Sequence, residues 1–230
     1  MMVQKQAPRP RGRPRAYDPD VALARVTDAF WSAGYAGTSL DDLSAATGMN
    51  RPSLYGAFGD KRALYLKALE RYRTQSRAGL KEALALDQPL RQALRRVYAA
   101  ALSIYLSGEG AARGCFTIGT AATEAVGNPE VRAFLAETVR SLDEAFEARI
   151  RFARDRGELK PDADPVALAK FATAVLHTLA IRSRAGQPRA ELEAAAEAGV
   201  KLICGPQTAR VKSASLRASG APPRSRRRGA

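Results

Sequence analysis

The sequence predicts an all-α protein of about nine helices, with a compact three-helix N-terminal unit followed by a longer helical one. Three observations carry this. Apolar residues recur at helical spacing along most of the 230 residues, whereas the alternation of a half-buried strand is almost absent. Cap and breaker residues such as Ser39, Asp164-Pro165 and the stretch from Gly157 to Pro161 fall between those runs. The formal charge of +14 is confined to the ends. Residues 1–16 hold five basic side chains and no acid, and residues 205–230 hold seven and no acid, leaving a nearly neutral middle.

The helices follow in order. Over 18–33, Leu23, Val26, Phe30 and Ala33 share a face, and Gly34 closes the run. Two short helices, near 40–46 and 51–58, flank a turn at Thr47-Gly48-Met49. A fourth starts at about Asp60 and continues into the 70s or low 80s. Leu90, Leu94, Val97, Ala101 and Ile104 mark the fifth, 114–126 a shorter sixth, and Val131 to Ile150 a long seventh. Asp164-Pro165 opens the eighth, about 165–185, which is apolar on more than one side and so expected to face both a core and a partner subunit. The ninth covers 189–203. Beyond Gly205-Pro206 the Ser/Ala/Pro/Arg composition predicts a disordered basic tail.

Composition excludes several classes. Two cysteines, Cys115 and Cys204, make neither a disulfide framework nor a metal motif, which points to a reducing compartment. The polar, Pro-rich start lacks a signal-peptide stretch, and no apolar run approaches bilayer-spanning length, so a cytoplasmic protein without a membrane partner is expected. No nucleophile triad, phosphate loop or metal cluster is present. Neither enzymatic activity nor a cofactor or metal is expected.

The informative stretch is Thr38 to Lys61. Ser39-Leu40-Asp41-Asp42 is a capping box, Gly48 supplies a positive φ, and Asn50 can cap the next helix. Leu54 and Phe58 pack inward, which leaves Arg51, Pro52, Ser53 and Tyr55 at the outer, leading edge. Two short helices joined by a Gly-containing turn, with polar residues at the second N-terminus, are either a plain αα-corner or a helix-turn-helix reading the major groove. The pattern GY-x-x-TSLDDL-x-x-x-TG-x-N-x-PSLY-x-x-FGDK-x-x-L resembles the DNA-binding domain of the TetR/AcrR-type bacterial repressors, over roughly residues 17–75. The resemblance implies that 76–204 form a helical ligand-binding and dimerisation domain.

On that resemblance, Thr38 and Ser39 approach phosphate, Arg51, Pro52 and Ser53 face bases, and Tyr55 and Lys61 grip the backbone. Gly56 and Ala57 offer little chemistry, so base readout rests heavily on Arg51, whose fork matches guanine O6/N7. Asp41 and Asp42 read as acids stabilising a helix start. Residues 17–75 hold seven basic and seven acidic groups, so the ends carry the electrostatic attraction. Pro10-Arg11-Gly12-Arg13-Pro14 is similar to an AT-hook core, with Arg11 and Arg13 suited to a narrow minor groove; a solvated basic arm over residues 1–16 is the alternative.

The resemblance also implies a ligand cavity. Tyr98, Tyr105, Cys115, Thr117, Thr120, Glu124 and His177 are its candidate contacts, with Thr123 nearby; His177, the single histidine, sits on an apolar helix with no metal-ligand partners. The expected protein is a ligand-released repressor. It would bind a palindromic double-stranded DNA operator as a homodimer through the helices at 165–185 and 189–203, answer to an unknown small molecule, and associate with the nucleoid when on DNA. An arm-driven architectural protein and an all-α enzyme or carrier are the rival readings.

Overall fold

The computed structural model describes residues 17–108 and 112–206; Arg11, Arg13, the rest of the N-terminal arm and the tail from 207 lie outside the described residues. All regular structure among the described residues is helical: α1 (Pro19–Gly37), α2 (Leu40–Thr47), α3 (Arg51–Phe58), α4 (Lys61–Ala83), α5 (Leu90–Tyr105), α6 (Ala122–Glu124), α7 (Pro129–Asp155), α8 (Pro165–Arg184) and α9 (Arg189–Cys204). Start signals act where the sequence puts them. Asp18, Ser39, Asn50, Asp60, Asn128 and Asp164 each accept hydrogen bonds from the first-turn N–H groups of the helix that follows. Gly34, at φ 76°, breaks α1 before its last residues. Gly48 caps α2 in the left-handed region at φ 71°.

Two cores result. α1 to α4 enclose Val26, Phe30, Leu43, Leu54, Leu64, Tyr65 and Leu69, and α5, α7, α8 and α9 enclose Leu94, Tyr98, Phe146, Ile150, Leu179, Leu192 and Val200. The first core does not stop at α4. Phe116, Ala121, Ala125 and Val131 belong to it, so the segment after α5 reaches back into the N-terminal unit.

That segment departs from the expected short helix over 114–126. Gly114 and Cys115 are non-helical, and the regular part opens as a π-turn over Thr117–Ala121 before α6. Crowding explains the start: Gly114 has φ 66°, and a Cβ there would lie 2.6 Å from the Ala180 carbonyl oxygen of α8. On its other side, Gly114 accepts a hydrogen bond from the Trp31 indole of α1 at 3.2 Å.

α8 buries Ala169, Ala172, Leu176, Leu179 and Ala180 against the core and leaves Val166, Phe171 and Ile181 exposed on the opposite side. By length and composition α8 is long and apolar enough to cross a bilayer, contrary to the expectation that no run approaches that length. The helix packs along α7 and α9, however, and its apolarity serves the core on one side and a second face on the other.

Candidate nucleic-acid interface and ligand cavity

The leading edge of α3 is exposed at Arg51, Pro52, Ser53, Tyr55 and Gly56, while Leu54 and Phe58 are buried beneath it. The first turn of α3 carries no acid and begins at Asn50, whose side chain accepts from the Ser53 N–H at 2.9 Å. Arg51 is not free. Its Nε and Nη2 donate to the two carboxylate oxygens of Asp41, at 3.0 and 2.6 Å, and this bond holds its pKa above the ordinary value. Asp41 thus does more than stabilise the start of α2: it holds the Arg51 fork flat and oriented across the turn. A spacing of ten residues carries no helical periodicity, so only the angle between α2 and α3 reveals the pair.

Thr38 and Ser39 part company. Thr38 is 1% exposed, and its hydroxyl donates to the Gly34 carbonyl at 2.6 Å. It closes the break in α1, so the expectation that its hydroxyl meets phosphate does not hold: the side chain is buried and its donor consumed. Ser39 is exposed and engaged with Asp42, which accepts from the Ser39 backbone N–H at 2.7 Å and lies 2.7 Å from its hydroxyl. Those bonds keep the Asp42 carboxyl below its usual range. Lys61 is half-buried, with Nζ 4.5 Å from the centroid of the Tyr35 ring, a cation–π contact that restrains it beside α2.

A cavity of about 870 Å³ lies between α4, α5, α7 and α8, walled largely by aliphatic side chains. Tyr105, Cys115, Thr117 and His177 line it. Tyr98, Thr120 and Glu124 do not. Tyr98 lies on the other side of α5, buried in the second core, and donates to the Ala172 carbonyl at 3.3 Å. Thr120 turns into the first core, where its hydroxyl meets that of Tyr65 at 2.6 Å and bonds to the Phe116 carbonyl at 2.9 Å. Glu124 is half-buried on the side of Tyr35 and Tyr65, whose pKa values are raised first by burial and then by its charge. In each case the helical register turns the side chain from the cavity, which sequence spacing around an irregular π-turn does not disclose.

Burial controls the protonation of the cavity wall. It pushes the Cys115 thiol and the Tyr105 hydroxyl up and the His177 imidazole down, so all three are neutral near pH 7. Among the described residues no cluster of His, Cys, Asp and Glu has metal-site geometry.

The residues missed by sequence reasoning join the cavity to the N-terminal unit. Phe116, fully buried, packs its ring against Trp31, Tyr65 and Tyr72, with centroids 5.9, 6.0 and 5.7 Å apart. Its sequence neighbours Cys115 and Thr117, with Ile118, face the cavity. One short segment therefore presents one side to the cavity and the other to the core beneath α1 and α4. Tyr72 of α4 belongs to both.

Comparison with known proteins follows this division. Residues 24–68 match the family model described as bacterial regulatory proteins, tetR family, and residues 89–198 match that of the tetracyclin repressor-like C-terminal domain. The chain is 32% identical over 161 residues to the uncharacterized HTH-type transcriptional regulator YezE of Bacillus subtilis (strain 168), covering 70% of this chain and 82% of that one. It is 29% identical over 176 residues to the HTH-type transcriptional repressor ComR of Escherichia coli (strain K12), covering 76% and 84%. Among solved structures, a cysteine mutant of the TetR family transcriptional regulator CifR, complexed with 26bp double-strand operator DNA, superimposes with a TM-score of 0.74 at 33% identity, covering 83% of this chain and 98% of that one.

Proposed function

The chain belongs to the TetR family of bacterial regulatory proteins and is a helix-turn-helix transcriptional regulator, and from that premise we propose a repressor that leaves its operator when a small molecule fills the cavity. Residues 17–75 read DNA, and residues 76–204 bind the ligand and dimerise. α3 enters the major groove, with Arg51 exchanging Asp41 for a base edge and Pro52, Ser53 and Tyr55 along the same edge. Ser39 and Lys61 flank the backbone. Two recognition helices about 34 Å apart, one duplex turn, then require a palindromic site and a two-fold dimer.

Exposed apolar rows support the dimer. α8 shows Ala167, Phe171, Ala174, Thr178 and Ile181 at spacings of four and three, and α9 shows Ala190, Ala194, Ala198 and Leu202 at spacings of four. The α8 row has the alternating spacing of a coiled-coil seam and the α9 row is an i, i+4 ridge, and the small residues allow close approach of a second copy. The cytoplasm, at the nucleoid, is the expected place of action.

One observation carries the release mechanism: the segment Cys115 to Ala121 faces the cavity with Cys115, Thr117 and Ile118 and the DNA-reading core with Phe116, Thr120 and Ala121. A ligand that crowds the first set displaces the second, and with it α1 and α4, altering the separation of the two recognition helices. Moving occupancy from 99:1 to 1:99 needs a preference of about 5.5 kcal/mol for the released state. Footprinting on fragments selected from random DNA tests the reading. One protected palindrome and a dimer in light scattering are expected; diffuse A·T-rich coverage or a stable monomer would refute it.

A further inference from the structure

The chemical class of the ligand is written in the charge of the cavity wall. Its lining is mostly aliphatic, yet its ionisable lining groups include Arg73, Arg77, Lys81 and Arg149 and no Asp or Glu. Arg73, Arg77 and Lys81 stand at successive intervals of four on α4, so they form one row along that helix. The acids beside the row are engaged: Glu70 pairs with Arg73, and Glu137 pairs with Arg140.

Arg149 is the anomaly. It is 2% exposed and heads the fully buried side chains by volume. Its Nη2 donates to the Gln88 carbonyl at 2.6 Å, whereas Nε and Nη1 are buried with no hydrogen-bond partner. Among the described residues no carboxylate lies within 4.0 Å of it. Burial holds the Arg149 pKa below its ordinary value, although Glu158, beyond ion-pair distance, is an acid whose charge favours the guanidinium; two unpartnered donors removed from water are costly. Arg73 repeats the pattern in weaker form, its Nε buried and unpartnered.

We propose that the cavity takes an amphipathic carboxylate, its apolar body against the aliphatic wall of α5 and α7 and its head accepting from the unpartnered N–H groups of Arg149. The exposed Arg77 and Lys81 then draw the anion to the opening. This rests on the ligand-released reading and gives its ligand a chemistry. A cationic molecule of the same shape fills the same volume but meets the like charges of Arg73, Arg77, Lys81 and Arg149, and a neutral one gains no charge-assisted bond from those donors.

The test uses the full chain and two matched series, 4-phenylbutyrate with its alcohol and amine, and decanoate with its alcohol and amine, by isothermal titration. At least one acid is expected to bind about tenfold or more tightly than its alcohol and amine. Arg149→Met, which keeps length and apolar volume, should abolish that preference while leaving alcohol binding within about threefold. Arg73→Gln, at a partly exposed site, should weaken acid binding severalfold and serves if Arg149→Met does not fold. Equal or tighter binding of the alcohol or amine, a preference that survives the folded substitution, or no acid bound below about 1 mM overturns the proposal. DNA binding by the ligand-free protein is measured separately. Its failure overturns the regulator reading, whereas the acid preference stands or falls by the titrations alone.

Discussion

Replacing Phe116 by alanine tests the contact on which the coupling rests. The ring is fully buried and lies against three aromatic rings from α1 and α4, with centroids 5.7 to 6.0 Å away. Deleting it removes the transfer free energy of a buried phenyl and leaves a cavity that stiff aromatic neighbours fill poorly, a loss of about 3–5 kcal/mol. Edge-to-face pairs of about 0.5–1.5 kcal/mol each lie largely inside that figure. Against a stability of about 5–15 kcal/mol the variant stays folded in the cold. Urea unfolding followed by circular dichroism and by the emission of Trp31, the sole tryptophan, reports the whole chain and the N-terminal core separately. The Trp31 transition should shift at least as far as the dichroic one, and release from operator should need more ligand than in the parent. A loss below about 1 kcal/mol, or an unchanged release curve, would refute the view that Phe116 links cavity and DNA-reading unit.

Four further outcomes are expected. Thr38→Val should cost about 1 kcal/mol in stability by removing the bond to Gly34 and leave the salt dependence of operator binding unchanged; a slope reduced by about one would restore a phosphate role. Arg51→Ala should relax base preference at one position per half-site in selection from random DNA, and Asp41→Asn should change that preference without abolishing binding; an unaltered selected site in both variants contradicts the assignment. Burial holds the His177 pKa below its ordinary 6.5, so the unfolded chain gains a proton first and stability falls as pH drops below that value, with no effect above it; thermal melts from pH 8 to 5 should show a shallower acid loss in His177→Gln, and identical slopes would remove His177 as a cause. Deleting residues 1–15 should weaken operator binding and flatten its salt dependence, and preference for A·T flanks should go with it; flank preference that persists rules out Arg11 and Arg13 as its readers.

Much of the fold is local and therefore legible in the chain. Asp18, Ser39, Asn50, Asp60, Asn128 and Asp164 start helices because a side-chain oxygen satisfies backbone donors within three residues, a relation that sequence alone contains. Helical spacing marks Leu54 and Phe58 as inward and Arg51, Pro52, Ser53 and Tyr55 as outward for the same reason. The π-turn at Thr117–Ala121 escaped, because its start is set by the approach of Ala180 to Gly114, 66 residues apart in the chain.

The candidate site divides along the same line. Residue identity and order determined an all-helical chain, two short helices about a Gly turn in its first third and an exposed Arg51, since each follows from interactions within a few residues; the resemblance of that stretch to a family pattern made the pair a helix-turn-helix. Tertiary structure alone decided that Thr38 is buried, that Asp41 holds Arg51, and that Tyr98, Thr120 and Glu124 turn from the cavity lined by Tyr105, Cys115, Thr117 and His177. It also decided that Arg149 is buried with donors to spare, which its place in an amphipathic helix does not disclose. Those outcomes depend on which helix lies opposite, and packing between distant segments, not local propensity, sets the dielectric and the partners that each side chain meets.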